Sequence, residues 1–323
     1  MKPRILLTGR NGQVGTELAL LLPRLGELVS PSRQELDLTK PDDIRRSIRE
    51  VRPQWIINAA AYTAVDQAER DEDTARAVNE EAPAVIAEEA KKIGAALVHY
   101  STDYVFDGSK KSPYEETDAP NPINVYGKTK LGGERAIQAS GVLHLIFRTD
   151  WVYATQGRNF LLTILRLATQ KQELRIVADQ IGSPTTSREI AAATVKVISQ
   201  LMDKEDGVRS LATIGGIYNM TAEGETSWYE FATAILEEAS ATAQSIPWVK
   251  AATKGMPFLA GRVLPITTAE YPTTARRPAY SVLSTRRLHD RFGVRLPPWR
   301  EQLRSLFSKS DIIAAIPKKT VPG

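Results

Sequence analysis

The chain has 323 residues, of which 42% are hydrophobic and 25% charged; that is enough to bury a sizeable core, as one large α/β unit or as two domains. Its 42 Lys and Arg against 38 Asp and Glu leave a formal charge of +4 and a pI near 9.1, a mild excess that suits anionic small molecules, and no basic tract is dense enough for a nucleic-acid face. There is no cysteine, which excludes disulfides, thiolate catalysis and Cys-ligated metal and is compatible with a reducing compartment.

In chain order, Arg4 to Thr8 reads as a short buried strand. Its apolar run, Ile5 to Leu7, is too short for a signal-peptide core, and no later stretch approaches membrane-spanning length, so a soluble cytoplasmic protein without membrane partners is expected. The strand runs into Gly9-Arg10-Asn11-Gly12-Gln13-Val14-Gly15, and a helix should follow from Thr16 to Leu22. Strand, glycine-rich turn and helix form the setting of a dinucleotide phosphate loop, in which glycine permits close backbone approach and the helix N-terminus offers N–H groups to pyrophosphate. The spacing is GxxGxxG rather than GxGxxG, and a turn that merely caps a strand is the other reading.

Next come a strand at Glu27 to Val29, a helix from Pro41 to Val51, a strand at Trp55 to Asn58, and a long helical segment from about Asp73 to Ile93 that Pro83 should kink or interrupt. Ala95 to Ser101 reads as a fourth strand, residues 103–123 as a loop, the Tyr126 helix runs to about Ser140, and Leu143 to Phe147 is a fifth strand. The alternation predicts an α/β fold, a Rossmann-like doubly wound parallel sheet with right-handed crossovers. After Arg148 the pattern loosens into helices near Phe160 to Thr169, Ser187 to Met202 and Trp228 to Glu238, with short strands such as Ile217 to Met220. The expected organisation is a dinucleotide-binding domain over residues 1–150. A smaller mixed α/β substrate-binding lobe follows over 151–309, with some segments returning to the first domain, and a weakly ordered tail over 310–323.

Tyr126 and Lys130 stand four apart, so a helix stacks a phenol and an ammonium on one face. A free tyrosine holds its proton to a pKa of roughly 10, and a nearby cation favours the phenolate, which makes such a pair a proton donor. The same spacing also arises by chance on exposed helices, so the pair gains its meaning from the turn at Gly9. Cofactor preference is read at the end of the second strand, where an acidic residue normally accepts both ribose hydroxyls of NAD. Here the stretch is Ser30-Pro31-Ser32-Arg33, without a carboxylate, and Arg33 and Arg10 are available to a phosphate. NADPH is therefore expected over NADH, with NADH still possible. His99 and His144 lie on apolar strands and read as core or edge residues, and no His/Asp/Glu cluster has ligand spacing.

Gly9-x-x-Gly12-x-x-Gly15, Ser101-Thr102-Asp103-Tyr104 and Tyr126-x-x-x-Lys130 together resemble the extended short-chain dehydrogenase/reductases. Further motifs narrow this to a resemblance to the dTDP-4-dehydrorhamnose reductase family: Asn58-Ala59-Ala60-Ala61, Val65-Asp66-x-Ala68-Glu69, His99-Tyr100-Ser101-Thr102-Asp103-Tyr104-Val105-Phe106, Arg148-Thr149-x-Trp151-Val152-Tyr153 and Pro272-Thr273-x-Ala275-Arg276-Arg277-Pro278. The resemblance implies NADPH-dependent reduction of the C4 ketone of dTDP-6-deoxy-L-lyxo-4-hexulose to dTDP-L-rhamnose. Tyr126 would be the proton donor, Lys130 would lower its pKa and hold the nicotinamide ribose, and Thr102 would hydrogen-bond the ketone oxygen. It further implies cofactor contacts from Gly9, Arg10, Asn11, Gly12, Gln13, Val14, Gly15, Ser32, Arg33, Asp37, Leu38, Ala60, Ala61, Thr63 and Tyr100, and substrate contacts from Thr102, Asp103, Trp151 and Arg276.

Two positions depart from the family pattern: Asp150 stands where Ser is usual, and Tyr62 where His is common. Some relatives dimerise through magnesium held by glutamates. Glu17 matches one ligand and the helix Trp299 to Phe307 offers only Glu301, so metal is not predicted, and a monomer or a homodimer is expected. Two other functions stay open at this point: a regulatory NADP-binding subunit resembling that of methionine adenosyltransferase, and a reductase or epimerase of another nucleotide sugar.

Overall fold

The computed structural model describes residues 2–203, 207–242 and 246–308. Strands β1 (Arg4–Thr8), β2 (Glu27–Val29), β3 (Trp55–Asn58), β4 (Ala96–Thr102) and β5 (His144–Thr149) join Gly216–Asn219 in a six-stranded sheet. Every pairing is parallel, in the spatial order β2, β1, β3, β4, β5, Gly216–Asn219. The predicted Rossmann-like doubly wound sheet is thus observed. Because the order reverses between β1 and β3, the helices that follow these strands leave on opposite faces and open a crevice at the carboxyl ends.

The strand sequences explain the layering. In β1, Ile5 and Leu7 point to one face, with Leu18, Leu22, Ile190, Val197 and Leu201, while Leu6 points to the other, with Ile44, Ile48, Ile86 and Leu97. Strands covered on both faces need near-continuous apolar runs rather than alternation, as Arg4–Thr8 and Trp55–Asn58 show. The fourth strand ends at Thr102, one residue beyond the expected Ser101.

Pro83 does interrupt its segment. A helix at Glu72–Arg76 passes into a π turn at Ala77–Glu81 and then into a helix at Ala82–Ile93, with Pro83 in its first turn. Proline lacks the N–H that a continuous α-helix would require, and the wide turn absorbs the missing bond. The buried Asn79 in that turn accepts from the Tyr62 N–H at 2.8 Å and donates to the Tyr62 carbonyl at 3.0 Å and to Thr129 Oγ1 at 3.2 Å. It ties the loop after β3 to the Tyr126 helix, Val125–Ser140.

Residues after 151 serve both regions. The helix Ser187–Met202 packs on Gln13–Leu21, and Gly216–Asn219 pairs with β5. The remainder gathers around Tyr153, Leu161, Ile164, Phe231, Ile235, Val249, Leu303 and Phe307, beside the parallel strands Glu173–Val177 and Arg262–Ile266. The expected tail, 310–323, lies outside the described residues. Among the described residues no helix is long and apolar enough to cross a membrane.

Candidate active site

The glycine-rich turn lies at the carboxyl end of β1. Gly9 has φ of +74°, Gly12 donates its N–H to the Gly9 carbonyl at 2.9 Å, and Gly12 caps the helix Gln13–Leu21 without a side chain. A Cβ on Gly15 would stand 2.0 Å from the Gly9 carbonyl oxygen, so any larger residue would push helix and turn apart. The backbone of Ala59 and Ala60 packs against Gly9, which brings the Asn58-Ala59-Ala60-Ala61 segment beside the turn. Ala61 is half-buried and Thr63 exposed on the same loop, while Asn11 is exposed and Val14 half-buried on the turn. The Gln13 side chain is committed elsewhere: its Oε1 accepts from Asn159 at 2.8 Å, so only its backbone faces the helix N-terminus.

Arg10 reaches across from the turn to the end of β2 and donates to the Ser30 carbonyl at 3.0 Å; Arg33 is exposed nearby. The absence of a carboxylate at this corner, expected from Ser30 to Arg33, needs correction. Glu35 folds back and accepts from the Ser32 N–H at 2.7 Å, and that bond, the Ser32 side chain and the Arg10 charge hold its pKa below the usual range. The i,i+3 spacing of Ser32 and Glu35 was the available signal. Asp37 spends one oxygen on the N–H and hydroxyl of Thr39, at 3.0 and 2.8 Å, and Leu38 is buried beside it.

Tyr100 contributes differently from expectation. Its phenol points into the core, 2.8 Å from Thr194 Oγ1, and only its carbonyl faces the site, accepting from Lys130 Nζ at 2.5 Å. Lys130 Nζ also lies 3.2 Å from His99 Nε2, while His99 Nδ1 is 3.1 Å from Asn58 Nδ2, and Thr8 donates to Asn58 Oδ1 at 2.6 Å. This buried row runs from β1 to the Tyr126 helix, so His99 is more than a core residue. Burial keeps His99 neutral and pushes the Lys130 ammonium down to about 8, with Glu134 opposing the second shift.

Tyr126 sits one turn above Lys130, edge-on to Tyr104 with ring centroids 5.7 Å apart. A Cβ on Gly127 would stand 2.1 Å from the Tyr104 carbonyl oxygen, so glycine is what lets this helix seat against the turn Asp103–Val105. Burial pushes the Tyr126 phenol up, the Thr102 hydroxyl draws it down and the Asp103 charge adds to the rise. The lowering expected from Lys130 is not realised, because the ammonium is turned to Tyr100 and His99. The Thr102 hydroxyl donates to Asp103 Oδ1 at 2.8 Å and accepts from the Tyr104 N–H at 3.2 Å.

On the substrate side, Trp151 has φ of +41° and stacks on Trp228, with centroids 3.4 Å apart and planes 6° from parallel. One face of the ring expected to meet the sugar is therefore covered. Trp228 opens the helix Trp228–Thr242, and its position in the sequence alone gives no sign of this contact. Arg277 pairs with Asp66 at 2.6 and 3.1 Å, and Arg276 is exposed, its carbonyl accepting from Asn124 at 2.8 Å. The Tyr62 phenol donates to Asp71 at 3.1 Å. Among the described residues no group of three or more His, Cys, Asp or Glu could hold a metal ion.

The crevice fits a dinucleotide: a close-packed glycine turn, a helix N-terminus without a side-chain cap, and an arginine at the carboxyl end of β2. A family model described as "RmlD substrate binding domain" matches residues 1–312. The chain is 48% identical to dTDP-4-dehydrorhamnose reductase of Burkholderia thailandensis over 92% of this chain and 95% of that one. It is 39% identical to the enzyme of that name from Escherichia coli K12, over 97% and 99%. The crystal structure of dTDP-4-dehydrorhamnose reductase from Bacillus anthracis in complex with NADP superposes with a TM-score of 0.82 at 34% identity, covering 95% of this chain and 99% of that one. The chain belongs to the RmlD family of dTDP-4-dehydrorhamnose reductases.

Proposed function

We propose that the chain reduces the C4 ketone of dTDP-6-deoxy-L-lyxo-4-hexulose to dTDP-L-rhamnose with NADPH. The observation that carries this is the meeting of Tyr126, Lys130 and Thr102 beside the glycine turn of a chain that belongs to this family. The nicotinamide, when bound, supplies the hydride to C4. Tyr126 donates the proton to the C4 oxygen, and a phenol kept protonated by burial is in the correct state to do so. Lys130 holds the ribose beneath Tyr126. The turn from Gly9 to Gly15 holds the pyrophosphate, and Arg10 and Arg33 face the 2′-phosphate, with Ser32, Asp37, Leu38, Ala60, Ala61 and Thr63 around the adenosine half. Trp151 and Arg276 face the nucleotide sugar, and Asp103, buried and holding the Thr102 hydroxyl, acts on it through Thr102. Residues 1–150 form most of the cofactor side and 151–309 most of the substrate side.

The test follows NADPH absorbance when the protein meets the hexulose made in situ from dTDP-glucose. Rapid loss with dTDP-L-rhamnose as product supports the reading. Measurable NADPH binding without turnover overturns it in favour of another nucleotide sugar or a regulatory role.

A further inference from the structure

Asp103 and Asp150 stand side by side beneath the site, 2% and 1% exposed. Their four oxygens are unequally served. Asp103 Oδ1 accepts from Thr102 at 2.8 Å and Asp150 Oδ2 accepts from the Ser183 N–H at 2.6 Å, while Asp103 Oδ2 and Asp150 Oδ1 have no hydrogen-bond partner. The two residues directly follow the paired Thr102 and Thr149 of adjacent strands, which sets their carboxyl groups beside each other and near Ser281, whose hydroxyl donates to the Ile181 carbonyl at 3.5 Å. Among the described residues neither has an ion-pair partner. Two bare carboxylates in such a place would face uncompensated repulsion in a medium that solvates neither, whereas a single proton between the orphaned oxygens relieves both the repulsion and the unmet hydrogen-bonding need.

We propose that Asp150 is a carboxylic acid sharing its proton with Asp103, and that the pair positions Tyr126 through Thr102. The charge remaining on Asp103 makes it the strongest acceptor near Thr102, so the one hydroxyl proton of Thr102 stays on that bond, and its remaining lone pair orients the Tyr126 O–H until the substrate oxygen takes that bond over. Tyr126 is then the only O–H donor of the two for the substrate oxygen. Asp150 is in this sense a positioning residue, and its role rests on the assignment of Tyr126 as donor made above. Burial raises both carboxyls, Asp103 to about 6 and Asp150 well above its usual range, and their coupling means that the proton belongs to the pair. The other titratable groups around the pair are the phenols of Tyr104, on the turn after β4, and Tyr126, on its helix, and the Arg277 guanidinium, which Asp66 engages.

The experiment uses the full chain and two variants, Asp150→Asn, whose carboxamide still donates to Asp103 without titrating, and Asp150→Leu, which cannot donate. Infrared spectra near neutral pH should contain a protonated-carboxyl C=O band in the wild type that Asp150→Asn removes. Because a raised folded-state pKa stabilises the wild type fully only below the unfolded carboxyl value and that contribution is lost as pH rises, the stability of Asp150→Asn relative to wild type in urea should increase steadily above about pH 4. In turnover, Asp150→Leu should lose kcat by roughly tenfold or more with KM for NADPH little changed, and Asp150→Asn should recover much of that loss. A wild type without the band overturns the shared proton. The band together with equal kcat in the two variants overturns the positioning role. A wild type that shows the band but does not oxidise NADPH with the hexulose overturns the assigned reaction, and the role in positioning Tyr126 with it, while the shared proton stands.

Discussion

Lys130 Nζ lies 2.5 Å from the carbonyl oxygen of Tyr100, on the strand that ends in Thr102, so the cation of the Tyr126 and Lys130 pair faces into the sheet. His99 holds it from the side at 3.2 Å. Burial pushes the Tyr126 phenol up, so it keeps its proton, and draws the lysine down.

Tyr126→Phe removes only the phenol O–H of the proposed proton donor. Turnover should fall by about 100-fold or more, within the range typical of general acids, while NADPH affinity measured by fluorescence titration stays near that of the wild type. Retained turnover would remove Tyr126 from the mechanism.

Lys130 is buried, and its ammonium is pushed down to about 8 from the ordinary 10.5. Charging it costs the folded state, and the cost is fully present below about 8 and fades as pH rises through the interval to 10.5. Lys130→Met should therefore be more stable than wild type near pH 7 by on the order of 1–3 kcal/mol, with the gain disappearing above about pH 10, and it should be inactive. Urea denaturation at several pH values checks the first part and the NADPH assay the second.

Glu134 and Arg148 form a bidentate ion pair at 2.7 and 2.9 Å, with side chains 1% and 2% exposed. Arg148 also lies over the Phe106 ring at 5.1 Å. Glu134→Gln would leave the guanidinium buried without its counter-charge. A loss of about 3–5 kcal/mol in unfolding free energy is expected, readable as a lower denaturation midpoint, and an unchanged midpoint would show that the pair is replaceable.

Arg10 and Glu35 carry opposite charges to the same corner beside Ser32. Arg10→Ala should raise KM for NADPH by roughly tenfold with little effect on NADH, and Glu35→Gln should shift preference further toward NADPH by removing a negative charge near the phosphate. Steady-state kinetics with both cofactors decides it, and equal changes for the two would place Arg10 away from the 2′-phosphate.

Much of this was legible in the order of residues. The bounds of Arg4–Thr8, Pro41–Val51, Trp55–Asn58, Ser187–Met202 and Trp299–Phe307 follow from local apolar pattern, proline at a helix start and glycine at a turn. The parallel sheet followed from the alternation of strands and helices, because short connections and right-handed crossovers leave few alternatives. Tyr126 over Lys130 followed from helical spacing, a relation within one turn.

What stayed hidden depends on contacts between distant segments. No local pattern says that Glu35 turns back onto Ser32 beside Arg10, that Trp228 covers a face of Trp151, or that His99 stands between Asn58 and Lys130. Asp103 and Asp150 directly follow the neighbouring strands β4 and β5, yet whether their carboxyls meet depends on register and on the loops carrying Ser183 and Ser281. The sequence by itself therefore determined the parallel sheet and the glycine turn, which rest on periodicity and spacing within a few residues, while the roles proposed for Tyr126, Lys130 and Thr102 come from the motifs shared with the family. Only the tertiary structure decided which groups are buried together, and so which of them hold their protons, because desolvation and charge coupling depend on what packs around an atom.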